Sequence, residues 1–131
     1  MSKTAGIIFR ICAWVFVAGV VVQVFLAGMV VVALQISWGT HIALGHLIGL
    51  PALIMVVTAY LGKASREIKR TTWLLFAVFF FQSEVIIFWR QSAPVISAFH
   101  PVLALIDFWL GLNLARQSSK GLIASETAKA G

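Results

Sequence analysis

Four apolar runs of membrane-crossing length, joined by short polar breaks, constrain this chain more than any other feature: Ile8 to Leu34, His41 to Leu61, Thr72 to Trp89 and Pro94 to Ala115. A hydrocarbon layer about 30 Å thick takes roughly 20 apolar residues of helix to cross, and only a helix or a closed barrel satisfies its own backbone inside it. Apolar residues make up 61% of the 131 positions and charged ones 11%, against an apolar share of about one half in soluble domains. The expectation is an all-α integral membrane protein of one compact domain. The breaks "QISWGT", "GKASREIKR" and "RQSAP" are short, which favours antiparallel neighbours and an up-down-up-down four-helix bundle over residues 1–116. The small, polar tail over residues 117–131 is expected to be disordered.

The formal charge of +6 would suit a nucleic-acid binder, but its distribution argues against one. Lys3, Arg10, Lys63, Arg66, Lys69, Arg70, Arg116, Lys120 and Lys129 all fall on one side of such a bundle, and Arg90 alone falls on the other. The excess of basic residues on the cytoplasmic side of membrane proteins then places both termini and the middle loop in the cytoplasm. The lipid bilayer is the first partner implied, and binding of anionic lipid by the middle loop is a secondary expectation. The apolar run after the basic start is too long for a signal peptide and reads as a retained helix. Cys12 is the only cysteine, so there is neither an intrachain disulfide nor a thiolate metal cluster.

Inside hydrocarbon, an ionisable side chain is costly unless paired, so each one marks a functional hypothesis. Here they are His41, His46, Glu84, His100 and Asp107, with Gln23, Gln82 and Asn113 as uncharged companions. At about 1.5 Å per residue, His46 lies roughly 8 to 10 Å below the outer boundary and His100 about as deep. Glu84 falls in the same layer. Helices two and four face each other across the diagonal of an up-down bundle, and an imidazole from each at one height can hold a haem iron between two axial nitrogens. His46 is the preferred partner of His100. His41 sits near the boundary, where it either hydrogen-bonds a haem propionate or is a plain interfacial residue. Gly28, Gly45 and Gly49 supply room for a macrocycle, or simply let helices approach closely. Asp107 either stays protonated, relays protons or hydrogen-bonds Gln23 or Gln82. A zinc or non-haem iron site of His46, His100 and Glu84 is a less favoured use of the same layer, and Glu84 can instead pair with Arg90. No glycine-rich phosphate loop, HExxH or CxxCH occurs, so any haem is held non-covalently.

Taken together, "QVFLAGMVVV", "HIALGHLIGL" and "FHPVLALIDFWLGL" resemble a group of small, uncharacterised four-helix membrane proteins of bacteria and archaea. The order of parts also resembles one half of a haem A synthase, whose four-helix bundle presents a histidine from its second and fourth helices to a haem. That resemblance implies axial roles for His46 and His100, in a bacterial or archaeal cytoplasmic membrane. A synthase has two such bundles and, in many members, paired outer cysteines. This chain has one bundle and no cysteine pair, so the implication is haem binding in a single-domain cytochrome or in a homodimer that rebuilds the double bundle. The leading expectation is a b-type cytochrome-like protein holding one haem b near the outer face, for electron transfer or haem handling, with a quinone or a redox protein as partner. If it is an enzyme, it is a haem-dependent membrane oxidoreductase. The alternative is a cofactor-free accessory or assembly subunit of a larger membrane complex.

Overall fold

The structure is a computed structural model that describes residues 1–89 and 91–130, with side chains described up to residue 120 except at position 87. Among the described residues the secondary structure is all helical. Helix α1 spans Lys3–Val31 and α2 spans Trp38–Leu61. The third rod begins with α3, Arg66–Phe80, passes through a π-helical turn, Phe81–Val85, and ends in a short α4, Ile86–Phe88. A single turn, α5 (Pro94–Ser97), leads into α6, His100–Ala130.

The helix ends follow from local chemistry rather than from hydropathy. The α3 start is set by Ser65, whose hydroxyl accepts from the Ile68 N–H at 3.3 Å, and by Glu67, an acid in the first turn where the helix dipole favours it. Most of the basic stretch expected to be loop is therefore the opening of α3, because Arg66, Lys69 and Arg70 are good helix formers. At the end of α2, Ala64 N donates to Ala59 O at 2.9 Å and Lys63 N to Tyr60 O at 3.0 Å, with Lys63 in the left-handed region (φ 54°). This is the Schellman pattern, with lysine where glycine is usual. Gly62, the obvious candidate for that place, serves another need: a Cβ on it would lie 2.5 Å from Met1 and 2.8 Å from Ala5. The last helix also runs on past Ala115. Gln117 to Lys120 are helical, with the Ser118 and Ser119 hydroxyls donating to Ala115 O at 3.0 and 2.8 Å. Serine hydroxyls that bond back to the preceding turn can stay within a helix.

Helix α1 packs against both α2 and α6, and α3 packs against the same two, so the four rods form a ring with α2 and α6 on one diagonal. The start of α1 meets the end of α2, where Ser2 N donates to Gly62 O at 2.9 Å. The opposite ends meet through Gln23 and His41. The core fills one end of the ring: Phe9, Ala13 and Phe16 of α1, Ala52, Met55 and Ala59 of α2, Leu75 of α3 and Leu114 of α6 are almost entirely enclosed. Alternation of large and small residues lets the rods interdigitate. Thr58 and Thr72 are buried here without penalty, because each hydroxyl donates to a carbonyl one turn back at 2.7 Å.

Among the described residues, three helical stretches are long and apolar enough to cross a membrane: Lys3–Val31, Trp38–Leu61 and Pro94–Lys120. The third rod, expected to be a fourth such span, is divided by the π turn and opens on charged residues. Large apolar side chains such as Phe25, Leu47, Leu105 and Trp109 are more than half exposed around the outside. An outer surface of that kind suits hydrocarbon rather than water.

Candidate functional site

At the end of the ring opposite the core, the rods line a half-open cavity of about 930 Å³. Its walls come from the later part of α1, the first turns of α2, the π turn and the start of α6. Pro51, inside α2, has no N–H and leaves the Leu47 carbonyl without its helical donor. It separates the cavity-lining half of α2 from the half that packs the core.

His41 lies in the first turn of α2, and its ring meets that of His100 edge-on, with centroids 6.1 Å apart and planes at 67°. Trp38 holds the other side of His41, edge to face, with centroids 5.5 Å apart. The backbone is fixed by Gln23 of α1, whose amide donates to the His41 carbonyl at 2.9 Å. That carbonyl bond depends on Gly45, because a Cβ there would lie 2.7 Å from the Gln23 nitrogen.

The π turn explains how His100 is set. In an α-helix the Ile86 N–H would bond to the Gln82 carbonyl, but here it reaches one residue further, to Phe81 O. The released Gln82 carbonyl meets His100 Nδ1 at 3.1 Å. A carbonyl only accepts, so Nδ1 carries the hydrogen and, in the neutral ring, Nε2 keeps its lone pair. The Gln82 side chain turns the other way and donates to Asp107 Oδ2 at 2.5 Å, with Gln82 only 5% exposed and Asp107 fully enclosed. One residue of the π turn thus binds His100 with its main chain and Asp107 with its side chain. Ser97 in α5 donates to Ile86 O at 2.8 Å and ties the approach to α6 onto the same rod. Four buried polar atoms at this end have no protein partner among the described residues: Gln23 Oε1, His41 Nδ1, Gln82 Oε1 and Asp107 Oδ1. The core end, among the same residues, has none.

His46 and Glu84 occupy the rim, His46 Nε2 and Glu84 Oε1 being 3.3 Å apart with both side chains substantially exposed. The ring set against His100 is therefore that of His41, whereas His46 is paired with Glu84. Five residues of helix turn the two α2 histidines about 140° apart, so only one of them can point at α6, and the rotation of α2 selects His41. Asp107 takes Gln82 rather than Gln23. Among the described residues, no three of histidine, cysteine, aspartate and glutamate are grouped to hold a metal ion. A Glu84 pairing with Arg90 lies outside the described residues. Of the three glycines expected to make room for a macrocycle, Gly45 lines the cavity but Gly28 and Gly49 do not. A Cβ on Gly49 would lie 3.2 Å from the edge of the Phe79 ring, and one on Gly28 would have nothing within 4 Å.

Trp38 and Ser97 are contributors that sequence reading does not single out. Tryptophan near a segment end reads as an interface anchor; at the other end, Trp73 donates to Tyr60 OH at 2.9 Å. No sequence signal marks Ser97 or the π turn.

Residues 23–86 match a family of unknown function, DUF6220. The matched stretch runs from Gln23 through the π turn and includes His41, His46, Gln82 and Glu84, but it stops before His100 and Asp107. No curated protein and no solved structure matches the chain, so the resemblance to half of a haem A synthase has no comparison behind it.

Proposed function

We propose that the protein is a membrane-embedded, b-type cytochrome-like haem binder, with His41 and His100 as the axial pair. The observation that carries this reading is the pairing of two imidazoles from diagonal helices across one cavity, with His100 Nε2 left as the free nitrogen. Histidine ligands typically donate their other ring nitrogen to a carbonyl, which fixes the tautomer and strengthens the ligand, and Gln82 O occupies that place. The cavity, about 930 Å³, is at the upper end of the roughly 300–1,000 Å³ typical of cofactor and ligand sites. When bound, the haem would supply one-electron redox chemistry at a potential set by its axial ligands and surroundings. The chain's own part is to orient the two rings, to keep His41 in place through Gln23 and Trp38, and to close the site with α5.

In this reading the rods run up-down-up-down through the bilayer, with both termini and the α2–α3 turn cytoplasmic and the cavity near the outer face. A quinone or a redox protein would exchange electrons at the His46–Glu84 rim. A homodimer would place two such cavities side by side.

A second reading has one observation in its favour. His46 with Glu84, His100 with Gln82 O, and Gln82 with Asp107 are already paired within the chain. Such pairs are enough to join helices in a cofactor-free accessory or assembly subunit. The test is to purify the chain from haem-replete cells in mild detergent and determine haem per chain. About one haem per chain supports the cytochrome reading. No haem, together with co-purification of larger membrane subunits, replaces it with the accessory-subunit reading.

A further inference from the structure

A second cavity, of about 530 Å³, lies between α3 and α6 at the core end of the molecule, away from the histidines. Arg66 and Arg70, one helical turn apart, form its α3 rim, and Gln117 and Asn113 face them from α6. Moving inward, both walls turn apolar: Leu74 on α3, Trp109 and Leu110 on α6. Arg66 to Leu74 and Gln117 to Trp109 each span eight residues, about 12 Å of helix, so the polar and apolar levels of the two walls match. Leu74 and Trp109 are 51% and 62% exposed, which opens the apolar part of the groove sideways to whatever surrounds the bundle. Among the described residues, neither arginine forms an ion pair. Glu67 also lines the rim, but two guanidinium groups and the N-terminal end of α3 outweigh it.

We propose that this groove binds one anionic phospholipid from the surrounding leaflet, with its phosphodiester on Arg66 and Arg70 and an acyl chain along Leu74 and Trp109. Planar guanidinium groups match phosphate oxygens two at a time, and the amide side chains of Asn113 and Gln117 offer donors to the glycerol region. A graded wall, basic to amide to apolar over about 12 Å, is complementary to an amphiphile and not to a free anion. The proposal rests on the membrane reading but not on haem, and holds whether or not the other cavity carries one.

The test is native mass spectrometry of the full chain extracted in detergent, offered equal amounts of phosphatidylglycerol and phosphatidylcholine. The wild type should retain phosphatidylglycerol about tenfold over phosphatidylcholine. The double variant Arg66→Gln/Arg70→Gln, altered only at exposed positions and required to elute as the same monodisperse species, should lose that preference. Lys3→Gln/Arg10→Gln removes the same charge from α1, outside the groove, and should keep it. Equal retention of the two lipids by the wild type overturns the proposal, as does an unchanged preference in Arg66→Gln/Arg70→Gln. An equal loss in Lys3→Gln/Arg10→Gln would mean diffuse surface charge, and displacement of the lipid by millimolar inorganic phosphate would mean a free-anion site. Either result contradicts it.

Discussion

The two ends of this bundle are built on opposite plans. At the core end, Phe9, Phe16, Met55 and Leu114 are fully or almost fully enclosed, and the buried hydroxyls of Thr58 and Thr72 are satisfied within their own helices. At the other end the same rods line a half-open cavity, and the polar groups there bond between rods: Gln23 to His41, Gln82 to Asp107, His100 to Gln82. The lesson is a division of labour along the helix axis. Tight apolar packing fixes the ring, and this leaves the far end free to hold groups that packing alone would exclude. Among the described residues, the buried polar atoms without a partner all lie toward the cavity end, which marks where that freedom is used.

Substitutions at the two ends should therefore fail differently. The largest expected effect is at the core: Phe9→Ala should lower unfolding stability by about 3–5 kcal/mol, read by denaturation in micelles, while leaving the NMR signals of the His41 and His100 rings unchanged in the folded fraction. A shift of those ring signals in the folded fraction would mean that the two ends are not independent. Next is Asp107→Leu, which strips the buried Gln82 amide of its acceptor and should cost about 1–3 kcal/mol, whereas Asp107→Asn keeps an acceptor oxygen and should cost less. Equal costs for the two would show that the Gln82 contact contributes nothing.

Smaller still is Gly45→Ala. Its methyl group would meet Gln23 Nε2 at 2.7 Å and displace the bond to His41 O, a loss of about 1 kcal/mol with a visible change at the His41 ring by NMR. Gly28→Ala is the smallest. It enters open space, and a gain of about 0.5–1 kcal/mol in helix propensity is expected, by the same micelle denaturation. If Gly28→Ala is instead the damaging change of the two, the assignment of close contact to Gly45 is mistaken.

Much of this division was legible in the sequence, though unevenly. The rods are visible because apolar runs are long, and the polar layer is visible because His41, His46, Glu84, His100 and Asp107 are conspicuous in such runs. The Asp107–Gln82 bond was one of the partnerships the sequence offered. Helix starts were less visible: hydropathy detects what lies in hydrocarbon, so Lys3 to Ile7 and Arg66 to Arg70, helical but charged or polar in part, fall outside the runs. The choice between His41 and His46 turns on the rotation of α2, which packing against α1 and α3 decides and periodicity alone does not. The π turn is further out of reach. "FFFQSEV" reads as ordinary helix, and the single slipped hydrogen bond that frees the Gln82 carbonyl has meaning only once His100 is beside it.

In the proposed cytochrome, His41 and His100 share one haem and His46 does not. The dithionite-reduced spectrum of the purified chain, beside those of His41→Ala, His46→Ala and His100→Ala, tests this at the iron itself. A Soret band with resolved alpha and beta bands is expected in the wild type and in His46→Ala, and its collapse in His41→Ala and His100→Ala. Collapse in His46→Ala with retention in His41→Ala, or a featureless wild-type spectrum, would contradict it.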